Sequence, residues 1–216
     1  MKSIVSTLVA LTAITSLSFA HCGGCGSDAQ KKKPSTAEVG KPAPAFSLKT
    51  AAGEEVSLAG LKGQVVVLEW VNFGCPFVVK HYKEGHMQKL QADYTAKGVT
   101  WILVSSAHTG HPTYLAPAAL EAAVKEKSSS ATYALVDADG TVGKTYEAKT
   151  TPHMFVIDQA GTLAYAGAID SKKSTNTADI KGADNYVVAA LECILAGEAV
   201  ETPETRAYGC SVKYAQ

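Results

Sequence analysis

Cys75 stands where the apolar run Val65-Val66-Val67-Leu68-Glu69-Trp70-Val71 passes through a short turn, Asn72-Phe73-Gly74, into Pro76 and an amphipathic stretch. Such a run predicts a strand covered on both faces, and Pro suits the first turn of a helix, so the sequence puts a thiol at a strand-to-helix junction. Unpaired N–H groups and the positive end of the helix dipole favour the thiolate there, the nucleophilic form of the sulfur. The chemistry on offer is exchange with a disulfide or attack on a peroxide. Either leaves a product on Cys75 that a second thiol must resolve.

Cys210 is the preferred resolver. It lies in Tyr208-Gly209-Cys210-Ser211, a Gly-containing tail that can carry a mobile thiol to the site; a permanent disulfide pinning the tail, even to Cys75 itself, is the competing reading. Cys193, among Leu191, Ile194 and Leu195, falls on the apolar face of a helix and reads as an inert core thiol. Cys22 and Cys25 form a Cys-x-x-Cys without a preceding strand or a helix start, which fits an auxiliary redox pair able to recycle Cys75, half a metal site, or an exposed disulfide. Glu69 interrupts the apolar strand ahead of Cys75. Desolvated there, it would have a raised pKa suited to proton transfer at the sulfur; partly solvated or paired with a Lys, it would be a bystander.

His81, His86, His108, His111 and His153 raise the question of a metal, and Cys with His suits copper. On one continuous helix His81 and His86 do not share a face, and His108 and His111 fall in a loop, so these residues read as solvated or hydrogen-bonded groups. No metal or other cofactor is assigned. Lys80 and Lys83 read as a solvated helix face, and Asp137-Ala138-Asp139-Gly140 as a β-turn rather than a calcium loop.

The elements that must position Cys75 follow from periodicity. An opening hairpin is expected over 41–63, turning at Ala52-Gly53-Glu54, with strands over 65–71, 99–105 and 133–136, a helix from Pro76 to about Ala96, another from Pro117 to Lys127, and a helical turn over 142–146. Strands at 153–157 and 163–168 then flank Gln159-Ala160-Gly161, and a last helix spans 183–195. Alternating strands and helices closed by a hairpin and a helix specify an α/β sandwich with a mixed sheet. Zero formal net charge over 216 residues argues against nucleic acid as a partner.

Residues 1–20 read as an export signal: Lys2, the apolar run from Ile4 to Phe19, then Ser18-Phe19-Ala20. The run is too brief for a transmembrane span, so the protein is expected to be secreted or periplasmic. Lipidation of Cys22 is disfavoured by Phe19 and His21, which occupy places where a lipobox has other residues. The expected organisation is a signal over 1–20, a Cys-containing linker over 21–37, one domain over 38–198, and a tail over 199–216 that holds Cys210.

Trp70-Val71-Asn72-Phe73-Gly74-Cys75-Pro76-Phe77-Val78 and Thr151-Pro152-His153-Met154-Phe155-Val156-Ile157-Asp158 resemble the two signature stretches of the thioredoxin superfamily, in its peroxiredoxin-like redoxin branch. The resemblance covers roughly residues 38–198. It implies a thioredoxin-like three-layer α/β sandwich, a mixed central sheet, and a loop in which Pro152 is cis and faces the reactive Cys75. It also implies a thiol oxidoreductase with an antioxidant or redox-homeostasis role, its groove shaped by Thr151, Pro152, Pro76 and Phe77. A substrate backbone would pair with the strand edge beside Pro152, so the implied partners are protein thiols and disulfides or a peroxide, with an unknown reductant. Two departures qualify it. The second Cys of a thioredoxin motif is Val78 here; and the residue three before Cys75, Thr or Ser in peroxiredoxins, is Asn72, while Arg206 is the only Arg. Weak thiol peroxidase activity, a copper carrier and a redox-inert interaction module are the alternatives.

Overall fold

The computed structural model describes residues 36–215. Its chain runs through β1 (Ser47–Lys49), β2 (Glu55–Ser57), β3 (Val66–Trp70), α1 (Pro76–Tyr82), α2 (His86–Thr95), β4 (Thr100–Ser105) and α3 (Pro117–Glu126). It continues through β5 (Tyr133–Val136), α4 (Thr141–Thr145), β6 (Thr150–Thr151), β7 (His153–Ile157), β8 (Leu163–Gly167), α5 (Tyr186–Ala196) and β9 (Cys210–Ser211). The central sheet has the order β5-β4-β3-β7-β8, with β3, β4 and β5 parallel and β7 and β8 antiparallel to their neighbours. β3 is the middle strand, and all of its residues are buried, as its unbroken apolar run requires.

Alternation along β3 divides the core in two. Val65, Val67 and Val71 face a cluster that includes Val78 and Tyr82 of α1, Leu90 of α2 and Leu191 of α5. Val66, Leu68 and Trp70 face Phe46, Val56 and Leu61 of the opening hairpin and its following turn, with Tyr146 beyond α4. The result is a mixed five-stranded sheet flanked on both faces, an α/β sandwich of thioredoxin type.

The single helix expected from Pro76 to Ala96 is two helices. The chain breaks over Lys83, Glu84 and Gly85, where Gly85 takes a φ of +77°, a conformation open to glycine and costly to other residues. Hydrophobic periodicity continues across the break, which hid it. The tail also departs from a loose appendage. Thr205 N–H bonds to Ala166 O on β8 at 3.1 Å, and β9 pairs antiparallel with β6, setting Thr151 opposite Cys210. Asp137 behaves as the turn expected of it: its carboxylate accepts from the Ser106 hydroxyl and from the Val142 and Gly143 N–H groups.

Candidate functional site

The turn after β3 is tied by Asn72, whose side-chain oxygen accepts from Gly74 N–H at 2.9 Å and whose carbonyl accepts from Cys75 N–H at 2.9 Å. Cys75 then caps α1, with Pro76 as the first helical residue. The Thr151–Pro152 peptide is cis, and Cys75 Sγ lies 3.0 Å from Thr151 O. The second sulfur is also there: Cys210 Sγ stands 2.7 Å from Cys75 Sγ. That is longer than a bonded separation of about 2.05 Å and shorter than ordinary sulfur–sulfur contact, so the two sulfurs lie within reach of a covalent bridge.

Their environments differ. Cys75 is only 2% exposed, whereas Cys210 is half-buried. Burial works against a Cys75 thiolate, but the Cys210 and Thr151 side chains, with the Cys210 and Val78 N–H groups, outweigh it and hold the Cys75 pKa below its ordinary value. Burial and the neighbouring Cys75 sulfur push the Cys210 thiol up to about 11. Of the two thiols, Cys75 is therefore the one that gives up its proton more readily.

The strand edge expected to receive a substrate backbone is taken by the chain's own β9. At Gly209 φ is +144° and a Cβ would collide with the Thr151 carbonyl, so glycine is what lets the tail lie against this peptide. Of the other groove residues, Pro76 is exposed, and Phe77 packs edge-on against Tyr208 with ring centroids 5.8 Å apart.

Glu69 is fully buried, which removes the reading of a solvated or Lys-paired carboxylate. Tyr82 OH donates to Oε1 at 3.0 Å; Trp101 Nε1 and Gln91 Nε2 donate to Oε2 at 2.8 and 3.1 Å. Desolvation raises its pKa to about 7 in spite of these donors. No side chain among its hydrogen-bond partners links Glu69 to either sulfur.

Two readings of charged side chains are corrected. Lys80 is not on a solvated face: it is 1% exposed, and Nζ donates to Asp170 Oδ2 at 3.1 Å and to Lys172 O at 2.8 Å. Lys83 is exposed as expected. His81 and His86, separated by the helix break, meet with their Nδ1 atoms 3.1 Å apart, and burial depresses the pKa of His81 to about 3. His153 is buried and accepts from Lys149 N–H at 3.2 Å. Among the described residues no three His, Cys, Asp or Glu side chains form a metal-binding group. Cys193 is half-buried rather than a core thiol, because α5 turns it to the edge of its apolar face. Cys22, Cys25, the export signal and the linker lie outside the described residues.

The sequence did not disclose the partners of Tyr208, which donates from its hydroxyl to Asp170. The one available signal was its place two residues before Cys210.

A family model described as Redoxin matches residues 38–186. The chain belongs to the redoxin family. It is a thiol oxidoreductase. The match ends before the tail, so Cys210 lies beyond the part of this redoxin that the family accounts for. Among solved structures, an uncharacterised conserved protein of Geobacillus kaustophilus is 26% identical, with a TM-score of 0.70 over 84% of this chain and 95% of its own. A hypothetical protein of Sinorhizobium meliloti 1021 is also 26% identical, with a TM-score of 0.68 over 84% of this chain and 97% of its own. A putative protein disulfide isomerase of Bacteroides thetaiotaomicron shares the fold at 18% identity, with a TM-score of 0.52 over 76% of this chain and 93% of its own. No curated protein matches.

Proposed function

We propose that this redoxin is an exported thiol–disulfide oxidoreductase whose working unit is the Cys75–Cys210 pair. The observation that carries the reading is the approach of the two sulfurs to 2.7 Å, with the Cys75 pKa lowered and the Cys210 pKa raised. The Cys75 thiolate attacks one sulfur of a substrate disulfide, forming a mixed disulfide and expelling the other sulfur as a thiolate, which is protonated. The Cys210 thiol loses its proton and attacks Cys75 Sγ, releasing the second substrate thiolate and leaving a Cys75–Cys210 disulfide. The substrate gains two electrons and the protein loses two. A dithiol of the reductant, for which Cys22 and Cys25 are a candidate within the chain, reverses the change by two exchanges. Glu69, a buried acid that titrates near neutral pH, has no hydrogen-bonded partner that reaches either sulfur and takes no step in this exchange. Export rests on the N-terminal run; among the described residues no helix is long and apolar enough to cross a membrane.

A peroxide substrate is the second reading, favoured by one observation: β9 fills the strand edge, so a small oxidant reaches Cys75 with less displacement than a peptide. Attack would give a Cys75 sulfenic acid and an alcohol or water, and condensation with Cys210 would release water. Against it, Asn72 spends its side-chain oxygen on the turn and Arg206 is exposed.

Single-turnover mixing with an aromatic model disulfide tests the assignment. Cys75→Ser should lose the fast phase at the site. Cys210→Ser should keep the first thiol release and accumulate a mixed disulfide on Cys75. A Cys210→Ser chain that completes the turnover as fast as the wild type would remove Cys210 from the mechanism.

A further inference from the structure

Lys80, Asp170 and Tyr208 make a buried polar chain that the exchange chemistry itself does not use. Lys80 lies on α1, the helix that Cys75 caps, and Tyr208 lies two residues before Cys210. Asp170 follows β8 and joins them. One carboxylate oxygen accepts from Lys80 Nζ at 3.1 Å, and the other accepts from Lys172 N–H at 2.9 Å and from the Tyr208 hydroxyl. The Tyr208 ring also packs on Phe77 and stands 5.8 Å from Lys80 Nζ. All three side chains are nearly excluded from water, at 1%, 2% and 6% exposure.

An ion pair this deep is a poor way to gain stability. Desolvating both charges costs several kcal/mol, and apolar residues of the same volume would often do as well. Its better-attested use is to fix register. The register at stake is that of the tail: Tyr208 and Cys210 flank Gly209, which is pressed on the Thr151 peptide, so a phenol held at Asp170 determines where the next sulfur falls.

We propose that Asp170 and Tyr208, backed by Lys80, are positioning residues that set the effective concentration of Cys210 at Cys75. The inference rests on the Cys75–Cys210 reading above. The tail has other anchors on both sides: before Tyr208, Thr205 N–H on Ala166 O at 3.1 Å and Ala168 N–H on Thr205 Oγ1 at 2.9 Å; beyond Cys210, Val212 N–H on Lys149 O at 3.1 Å and Tyr214 OH on Ala148 O at 2.8 Å. Losing the Tyr208 bond frees the stretch from Arg206 to Gly209, immediately before Cys210, while the anchors on either side remain.

Tyr208→Phe is the decisive variant, because it keeps the ring on Phe77 and Lys80 and removes only the hydroxyl. The full-length protein is equilibrated in buffers of reduced and oxidised glutathione, and the fraction carrying the Cys75–Cys210 cross-link is read by mass spectrometry. A hydrogen bond to a charged group governs the docked tail, so the cross-link equilibrium constant should fall roughly tenfold or more. In the same variant the thiolate absorbance of Cys75 should titrate at higher pH, since the Cys210 thiol no longer stands on it; a merely structural loss would lower thermal stability without moving that midpoint. Asp170→Asn should behave likewise, and if it fails to fold, Tyr208→Phe decides alone. An equilibrium constant and a titration within twofold of wild type would overturn the positioning role and leave the pair intact. A wild type that never forms the cross-link would sink both readings.

Discussion

Cys75 and Glu69 are two buried acids that burial treats alike and their neighbours treat differently. For Cys75 the local donors prevail and favour the anion; for Glu69 desolvation prevails and favours the neutral form. The Glu69 case gives a prediction with a definite sign. With a folded pKa of about 7 against an ordinary 4.5, the folded chain keeps a proton that the unfolded chain has released. The stability tied to that proton is complete below the unfolded value and is lost as pH rises through the folded one, about 3 kcal/mol in all. Burial depresses His81 to about 3 and His153 to about 4. They act in the opposite sense: their contribution is present above the ordinary value of 6.5 and lost as pH falls towards those folded values. Urea unfolding of Glu69→Gln separates the two, because only the Glu69 part disappears. Relative to wild type the variant should gain about 2 to 3 kcal/mol between pH 5 and pH 8; a difference flat with pH would mean that the carboxyl titrates normally. The importance of Glu69 was legible from one charged letter in an apolar strand. Its donors were not, because Tyr82, Gln91 and Trp101 come from three elements distant in sequence.

At the scale of elements, the sheet strands were readable to within a residue or two because their patterns are strong: an unbroken apolar β3, and a turn of Asp158 to Gly161 closed by Gly161 N–H on Asp158 O at 2.9 Å. The break between α1 and α2 was not, since one glycine in a periodic stretch is compatible with a continuous helix. That break is what buries Lys80, His81 and Tyr82 together at the end of α1. Two glycines separate backbone strain from close approach. At Gly85 a Cβ meets nothing within 4 Å, so Gly85→Ala should cost about 1 kcal/mol in urea unfolding and leave the sulfurs in contact. At Gly209 the Cβ meets the Thr151 carbonyl, so Gly209→Ala should expel β9 from the edge beside Pro152 and abolish the Cys75–Cys210 cross-link with little change in melting temperature. A cross-link formed at the wild-type rate in Gly209→Ala would show that the tail need not pair with β6.

For the whole molecule, the resemblance in the two signature stretches carried the fold and the family, and both stand. It could not carry the tail, which lies outside the matched residues 38–186 and folds back along β8 and β6 to bring Cys210 under Pro152. A contact between residues 75 and 210 leaves no local trace in sequence; only the Gly beside the Cys hinted at a thiol able to approach. In the proposed mechanism Cys210, from the far end of the chain, takes the part of the second Cys of a thioredoxin motif, whose place Val78 holds. The most direct test maps the oxidation and alkylation of all five cysteines of the full-length protein by mass spectrometry, across pH and with and without a model disulfide. Cys75 should alkylate at the lowest pH, Cys210 should resist alkylation until pH approaches about 11, and oxidation should yield a reducible Cys75–Cys210 bridge. A Cys75 no more reactive than Cys193, or an oxidised protein in which Cys210 remains free, would contradict it.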